Sequence, residues 1–553
     1  MNAKKLLALL LALVMVLGLA ACGTQPAEPT EPSEPAETTG SELRIHLITN
    51  VMSLDSGAAT DGDSFEVIAD FTDGLMQLDA DGNAIPAVAE TYDVSEDGKT
   101  YTFHLREDAV WSNGTPVTAD DFVFAWQRVV TPAFASEYNY MMSDCGQIKN
   151  AAAILAGEKD PTELGVTAVD EHTLMVELEN PVPFFLGLMV FPTFYPINRE
   201  FCESVGDKYG TTYDTVLCNG AYLLDSNYEP ACTSFSLTKN PNYYDADKIS
   251  IETLKYQVIT DSQTALLAYQ NNELDTVILS GEQVEQVSDD PCFMTYNAGY
   301  LWYITVNQDQ YDFLANVNFR KALSAAYDRD ALCSTIIKDG SGAAYFPVPE
   351  QLATGPDGND FREDAGSYKE QIGTYDDAVN YLAAAKEELG QDTFEIELLV
   401  EDDTTAKNVA AYIQECWNKL DGVTVTLKTE TKKQRVEDIQ NGDYCTCLTR
   451  WGPDFADPMT YLNMWTTGCT NNYGLWSNPD YDALIADCTS GELATDPNAR
   501  WQALIQADKM IMDEMVILPV YQKANATMIR DGVEGIEFHA VAINRVFKNA
   551  TVG

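Results

Sequence analysis

An α/β fold is what this sequence predicts, on three observations. Between residues 375 and 448, helical and strand-like segments alternate with short links, the pattern of a doubly wound sheet. Residues 101–105 and 172–178 alternate as strands do, on either side of a helix-like run with one apolar face. A chain of 553 residues, 45% of them hydrophobic, is long enough to bury several cores.

The chain opens with Met1-Asn2-Ala3-Lys4-Lys5 and an apolar run from Leu6 to Ala21. Two positive charges before a short apolar stretch make a secretory signal, and the run is shorter than the ~20 residues a spanning helix needs. It closes on Leu19-Ala20-Ala21-Cys22, which resembles the lipobox of bacterial lipoproteins. That resemblance implies cleavage before Cys22 and diacylglycerol on its thiol. From Gly23 to Glu37 come four prolines and four glutamates with no large apolar residue. Such a segment cannot build a core and predicts an extended, self-repelling tether of ~3 Å per residue. Residues 1–21 are therefore expected to be a signal peptide and 22–41 a lipidated tether, holding the folded part on the extracytoplasmic face of a membrane.

Charge supports export. With 86 Asp+Glu against 33 Lys+Arg, the net charge of −53 repels nucleic acid and anionic lipid and keeps an exported protein soluble. Of the 12 cysteines, Cys22 is the expected lipid site, which leaves an odd number and at least one thiol without an intrachain partner. Cys218 and Cys232 could bridge a hairpin, though no spacing compels it. Cys445 and Cys447 share a strand face but lack the second pair that a zinc site needs.

Along the folded part, residues 43–47 read as a strand and 65–71 as a short helix after the polar loop Thr60-Asp61-Gly62. Asp79-Ala80-Asp81-Gly82-Asn83 is read as a hairpin turn and not a calcium loop, because the later glutamate is missing. A strand is expected up to Asp93, then a turn at Gly98 and a strand over 101–105. Thr118 with Asp121 three residues on makes a capping box, and Phe122, Trp126 and Val129 form the apolar face of the helix that follows. Farther on, helices are expected over 375–389, 405–420 and 432–441. Strands are expected over 394–400, 423–427 and 444–448. Past the last strand, Pro453 and Pro458 forbid regular structure, so Arg450-Trp451-Gly452-Pro453-Asp454 reads as a rigid loop. A carboxylate beside an indole at the carboxyl end of such a strand suits an ammonium group. The same residues also suit a turn-capping Asp454 with Trp451 in the core.

Several segments decide between these readings. They are Ala89 to Arg106, Trp111-Ser112-Asn113-Gly114-Thr115-Pro116, Asn219-Gly220-Ala221-Tyr222, Lys239-Asn240-Pro241-Asn242-Tyr243-Tyr244, Asn272-Glu273-Leu274-Asp275, the run from Val317 to Arg329, Trp451 to Pro458, and Trp476-Ser477-Asn478-Pro479-Asp480-Tyr481. In their order they resemble the oligopeptide- and dipeptide-binding proteins of ABC importers, a class of extracytoplasmic solute-binding proteins. The resemblance covers nearly everything after residue 41. It implies a periplasmic-binding-protein-like fold of two α/β lobes joined by a hinge, with an extra domain inserted in the first. Lobe I is expected at 42–75, 186–295 and 523–553, the inserted domain at 76–185 and lobe III at 296–522. It implies a peptide clasped between the lobes, with Thr60, Asp61 and Gly62 on one wall and Arg450, Trp451, Gly452 and Pro453 on the other. In that scheme Asp454 pairs with the peptide α-ammonium, and Tyr138 and Asn472 fall on pocket positions. The expected partners are peptide, permease subunits and, through the anchor, a membrane; a monomer without cofactor or metal is expected.

Other classes fit less well. His46, His104, His172 and His539 are scattered, and the chain has no His-Glu-x-x-His, no Gly-x-Ser-x-Gly and no phosphate loop, so no enzyme is expected. The same fold with an oligosaccharide, opine or metal-chelate ligand, or a peptide sensor in place of an importer, is the alternative.

Overall fold

The computed structural model describes residues 41–553. The expected signal peptide, Cys22 and almost all of the tether lie outside them. No helix among the described residues is long and apolar enough to cross a membrane.

Three sheets carry the architecture. The first is four-stranded, ordered Glu42–Leu47, Thr253–Val258, Ser234–Lys239, Tyr222–Leu224. Against it lies the helix Gly62–Phe71, three residues longer at its start than the pattern predicts. The extension has a local cause: Asp61 caps the helix, its side chain accepting the Ser64 N–H at 2.9 Å and the Ser64 hydroxyl at 2.7 Å. The same helix buries Glu66, which forms a bidentate pair with Arg545 at 2.8 and 2.7 Å and so ties the carboxy-terminal segment into this lobe. Isolated, either charge would be costly to bury; paired, they are tolerated.

The second sheet is antiparallel, ordered Ala89–Val94, Thr100–Leu105, Thr173–Glu177, Val166–Asp170. Phe103, Leu105, Leu174 and Val176 point into its core. The helix Ala119–Val129 starts at the Thr118/Asp121 capping box and buries Phe122, Trp126 and Val129, as its sequence predicts.

The third sheet has seven strands: Thr276–Leu279, Leu518–Ile529, Phe293–Val306, Thr446–Trp451, Phe394–Glu401 and Val423–Glu430 in order, with Gly342–Ala343 on the flank of Leu518–Ile529. Phe394–Glu401 runs parallel to both Val423–Glu430 and Thr446–Trp451. Tyr375–Leu389 leads into the first of them, and Thr404–Trp417 and Lys432–Asn441 are the helices between them, so the helix–strand alternation read from sequence is present. Several boundaries differ: the helix expected to reach 420 ends at Trp417, and the strand expected to end at 427 runs to Glu430. The last strand begins at Thr446, not 444, and runs to Trp451, because Leu301, Trp302 and Tyr303 pair with Trp451, Arg450 and Thr449. Arg450 and Trp451 are thus strand residues, and the loop starts only at Gly452.

Two strands, Phe293–Val306 and Leu518–Ile529, are long and shared. They pair with each other along their length, Leu518–Ile529 also pairs with Thr276–Leu279 through its outer half, and the register of the long pair shifts between Asn297 and Leu301. Residues 295/296 and 522/523, where the sequence divides the lobes, lie inside these strands. All eleven described cysteines are free, Cys218 and Cys232 included.

Candidate functional site

The end of the strand Thr446–Trp451 fixes the site. Gly452 lets the Tyr300 ring lie against the loop: an added Cβ would push that ring aside. Pro453 packs on Gly299, whose φ of +76° and closeness to the proline ring both demand glycine. The Tyr461 hydroxyl lies 2.6 Å from the Gly299 carbonyl oxygen and 3.1 Å from that of Trp451, fastening the two strand ends together. Asp457, at the far end of the loop, holds buried Arg500 through two bonds of 2.7 and 2.8 Å.

Asp454 therefore sits on a loop held at both ends. Its backbone N–H donates to the Thr460 hydroxyl at 3.0 Å, and its carboxylate accepts the Tyr140 hydroxyl at 3.1 Å. Tyr140 belongs to the segment before the π-helical turn Met141–Cys145, so this contact joins that segment to the loop that follows the third sheet's strand Thr446–Trp451. Asp454 caps no turn with its side chain: the turn-cap reading is overturned. Burial pushes its carboxyl up to about 6, and the hydrogen bond from Tyr140 only partly offsets that. A carboxyl so raised gains most when a cation arrives.

Aromatic contacts link Asp454 to the opposite wall. Tyr140 stacks on Tyr138 at 5.9 Å, and Tyr138 meets Phe65 edge-on at 5.4 Å and Phe191 at 5.0 Å. Phe65 is on the helix that Asp61 caps. In this way Thr60-Asp61-Gly62, Tyr138 and Asp454 become neighbours through one row of rings. Asp61 is engaged at its helix, while Thr60 and Gly62 are exposed. Trp451 is half-buried and its indole Nε1 has no partner, a donor left for something else to satisfy. Arg450 donates to Glu401 at 2.9 Å. Asn472 has a duty the sequence did not reveal: it is buried, its Nδ2 donating to the carbonyls of Thr466 and Trp476 at 3.1 and 2.7 Å, and it braces its own loop.

Sequence reasoning missed Tyr140, Tyr300 and Thr460. Two of these lie beside residues it singled out, Tyr140 two positions after Tyr138 and Thr460 six after Asp454, but nothing local says which side chain turns towards the carboxylate. A cavity of about 700 Å³, lined by Glu285, Cys333, Lys338 and Ala343 among others, contains none of the Asp454 group.

The model of Bacterial extracellular solute-binding proteins, family 5 Middle, matches residues 83–473. A dipeptide-binding protein of Lactococcus lactis subsp. cremoris is 30% identical over 549 residues, covering 97% of this chain and 96% of its own. OppA of Listeria monocytogenes, solved bound to peptide, is 32% identical with a TM-score of 0.70, over 93% of this chain and 99% of its own. The unliganded open form of the murein tripeptide binding protein MppA is 26% identical with a TM-score of 0.81, over 93% and 98%.

Proposed function

We propose that this chain, which belongs to family 5 of the bacterial extracellular solute-binding proteins, captures oligopeptides in the cleft between its lobes and delivers them to an ABC permease. The observation that carries the reading is the Asp454 carboxylate, buried at the meeting of two walls with only a tyrosine hydroxyl on it. An α-ammonium is the complement of that group, and the rest of an extended peptide is held by main-chain hydrogen bonds, with side chains contributing little. The ring faces of Tyr138 and Tyr140 complete the amine end, and the orphaned Trp451 indole N–H, a donor, suits a carbonyl oxygen of the peptide.

The free chain is open in this reading. Its TM-score is higher against the unliganded open relative (0.81) than against the peptide-bound one (0.70), although the latter is more identical in sequence. The two shared strands with their register shift at Asn297–Leu301 are the hinge.

Calorimetry across pH tests the proposal. Binding an ammonium draws the Asp454 proton off, so affinity for a free-amino peptide falls by up to about tenfold per unit as pH drops below 6. Between pH 6 and the ammonium pKa near ~8 it is flat. N-acetylated peptide lacks the acid limb and binds more weakly throughout; equal affinity of the two peptides at pH 7 would refute the assignment. Small-angle scattering of the same samples is expected to show compaction only with the free-amino peptide.

The anchor is the other part of the proposal. Cys22 carries diacylglycerol, two chains being what stable membrane attachment requires. Cys22→Ala is expected to move the protein from the membrane fraction to the medium or periplasm; unchanged fractionation would remove the anchor from the account.

A further inference from the structure

A row of paired residues crosses the third sheet at the register shift of the two long strands. Trp451 pairs with Leu301, Leu301 with Gln522, and Gln522 with Gly342. Asp454 follows three residues after the first end of that row. Residues 337–341 run directly into the other end. The strands Phe293–Val306 and Leu518–Ile529 therefore separate the Asp454 loop from this short segment.

Three polar contacts fasten residues 337–341 in place. Lys338 Nζ donates to Glu285 Oε1 at 2.7 Å, and Glu285 stands on the helix Gly281–Val287, which follows the outer strand Thr276–Leu279. Asp339 is buried and pairs with Lys523, the residue after Gln522. The Ser341 hydroxyl accepts the Ala524 N–H at 3.2 Å. Gly281 adds a steric contact: a Cβ there would lie 3.2 Å from the Ile337 carbonyl oxygen and 3.4 Å from the Asp339 Cβ. The space around these contacts is open. Glu285 and Cys333 line the cavity of about 700 Å³, and Thr295 and Gly340 line another of about 250 Å³. Contacts flanked by open space can part without dismantling a core.

We propose that residues 337–341, with Glu285 and Gly281 against them, form a clasp behind the hinge that holds the empty protein open and so sets its affinity for peptide. By the lobe boundaries read from sequence, each of these contacts joins lobe III to lobe I. Closing the cleft on the Asp454 side swings the lobes about the two long strands and parts the clasp on the other. The inference rests on the peptide reading and adds to it an affinity determinant that never touches the ligand. Whatever stabilises the open form must be overcome on binding. While the open form predominates, weakening the clasp by a given factor tightens apparent affinity by the same factor. Losing a contact usually weakens function; here the loss strengthens binding, a sign that a merely structural role would not give.

Calorimetry with free-amino alanine peptides of three to five residues tests the clasp. Glu285→Lys and Lys338→Glu each set like charges face to face, and each is expected to bind about two- to fivefold more tightly than wild type at low salt. The double exchange is expected to return to the wild-type value. At ~1 M salt, where screening acts within ~3 Å, the single variants should match wild type. Gly281→Leu is a wedge that salt does not relax, and about tenfold tighter binding is expected of it. Single charge variants that bind no more tightly than wild type, or a double exchange that stays with the singles, overturn the clasp. Both members of the charge pair are exposed, so that arm decides even if Gly281→Leu fails to fold. If wild type binds none of these peptides, the peptide reading fails by itself, and small-angle scattering without ligand decides the clasp. Glu285→Lys combined with Gly281→Leu is then expected to be more compact than wild type; an equal or larger radius overturns it.

Discussion

Asp454→Asn is expected to lose about 100-fold or more of its affinity for free-amino peptides while its folding stability stays near wild type. The fold has little stake in the charge, since Tyr140 can donate to an asparagine oxygen as it does to Asp454. The ligand's stake is large. Leaving one member of a buried ion pair without its partner costs ~3–5 kcal/mol, which exceeds the net worth of the pair itself. The decisive measurement is a cycle of free-amino and N-acetylated peptide on wild type and Asp454→Asn. Wild type is expected to prefer the free-amino peptide strongly. The variant is expected to be indifferent, or to favour the acetylated peptide, because the charge left unpaired now belongs to the ligand. The acid limb of the pH profile should vanish with the carboxyl that causes it. A variant that keeps the wild-type ratio would mean that the ammonium goes elsewhere.

Asp457→Ala is expected to be the more damaging substitution for the fold. Asp457 gives Arg500 two short bonds, and Arg500 also donates through Nε to the Cys488 carbonyl at 3.0 Å, all of it buried. Without Asp457 a guanidinium is left buried and uncompensated, at a cost of ~3–5 kcal/mol against a typical total of ~5–15 kcal/mol. Asp457 also accepts the Met459 N–H at 2.9 Å, so the loop that presents Asp454 loses its far post. Urea midpoints should fall sharply and peptide affinity with them. Adding Arg500→Met should recover much of the stability, since the penalty lies in the orphaned charge. A fall of less than ~1 kcal/mol in Asp457→Ala would show that water or a neighbour satisfies Arg500.

Much of this was legible because it is local. The capping box at Thr118 and Asp121 starts its helix where the pattern puts it, and Tyr375–Leu389 has the bounds its periodicity predicts. Of the boundaries that moved, one did so under distant influence and another under its neighbour's. The strand to Trp451 runs three residues past its expected end because its ladder partner starts at Leu301, 150 positions away in the chain. The helix at Gly62 starts early because Asp61 acts as its cap, a residue read as part of the ligand wall.

What the sequence determined by itself was the class of fold, most of its elements and the pairing of an acid with an indole at a strand's end. Those signals live in caps, periodicities and proline positions, whose physics acts within a few residues. What only the tertiary structure decided was company. Tyr140 meets Asp454 across 314 residues, Arg545 meets Glu66 across 479, and Arg450 meets Glu401 across 49. Partner choice at such separations follows from how strands are ordered in a sheet, and a carboxylate does not record in its own neighbourhood which cation or hydroxyl that order will bring to it.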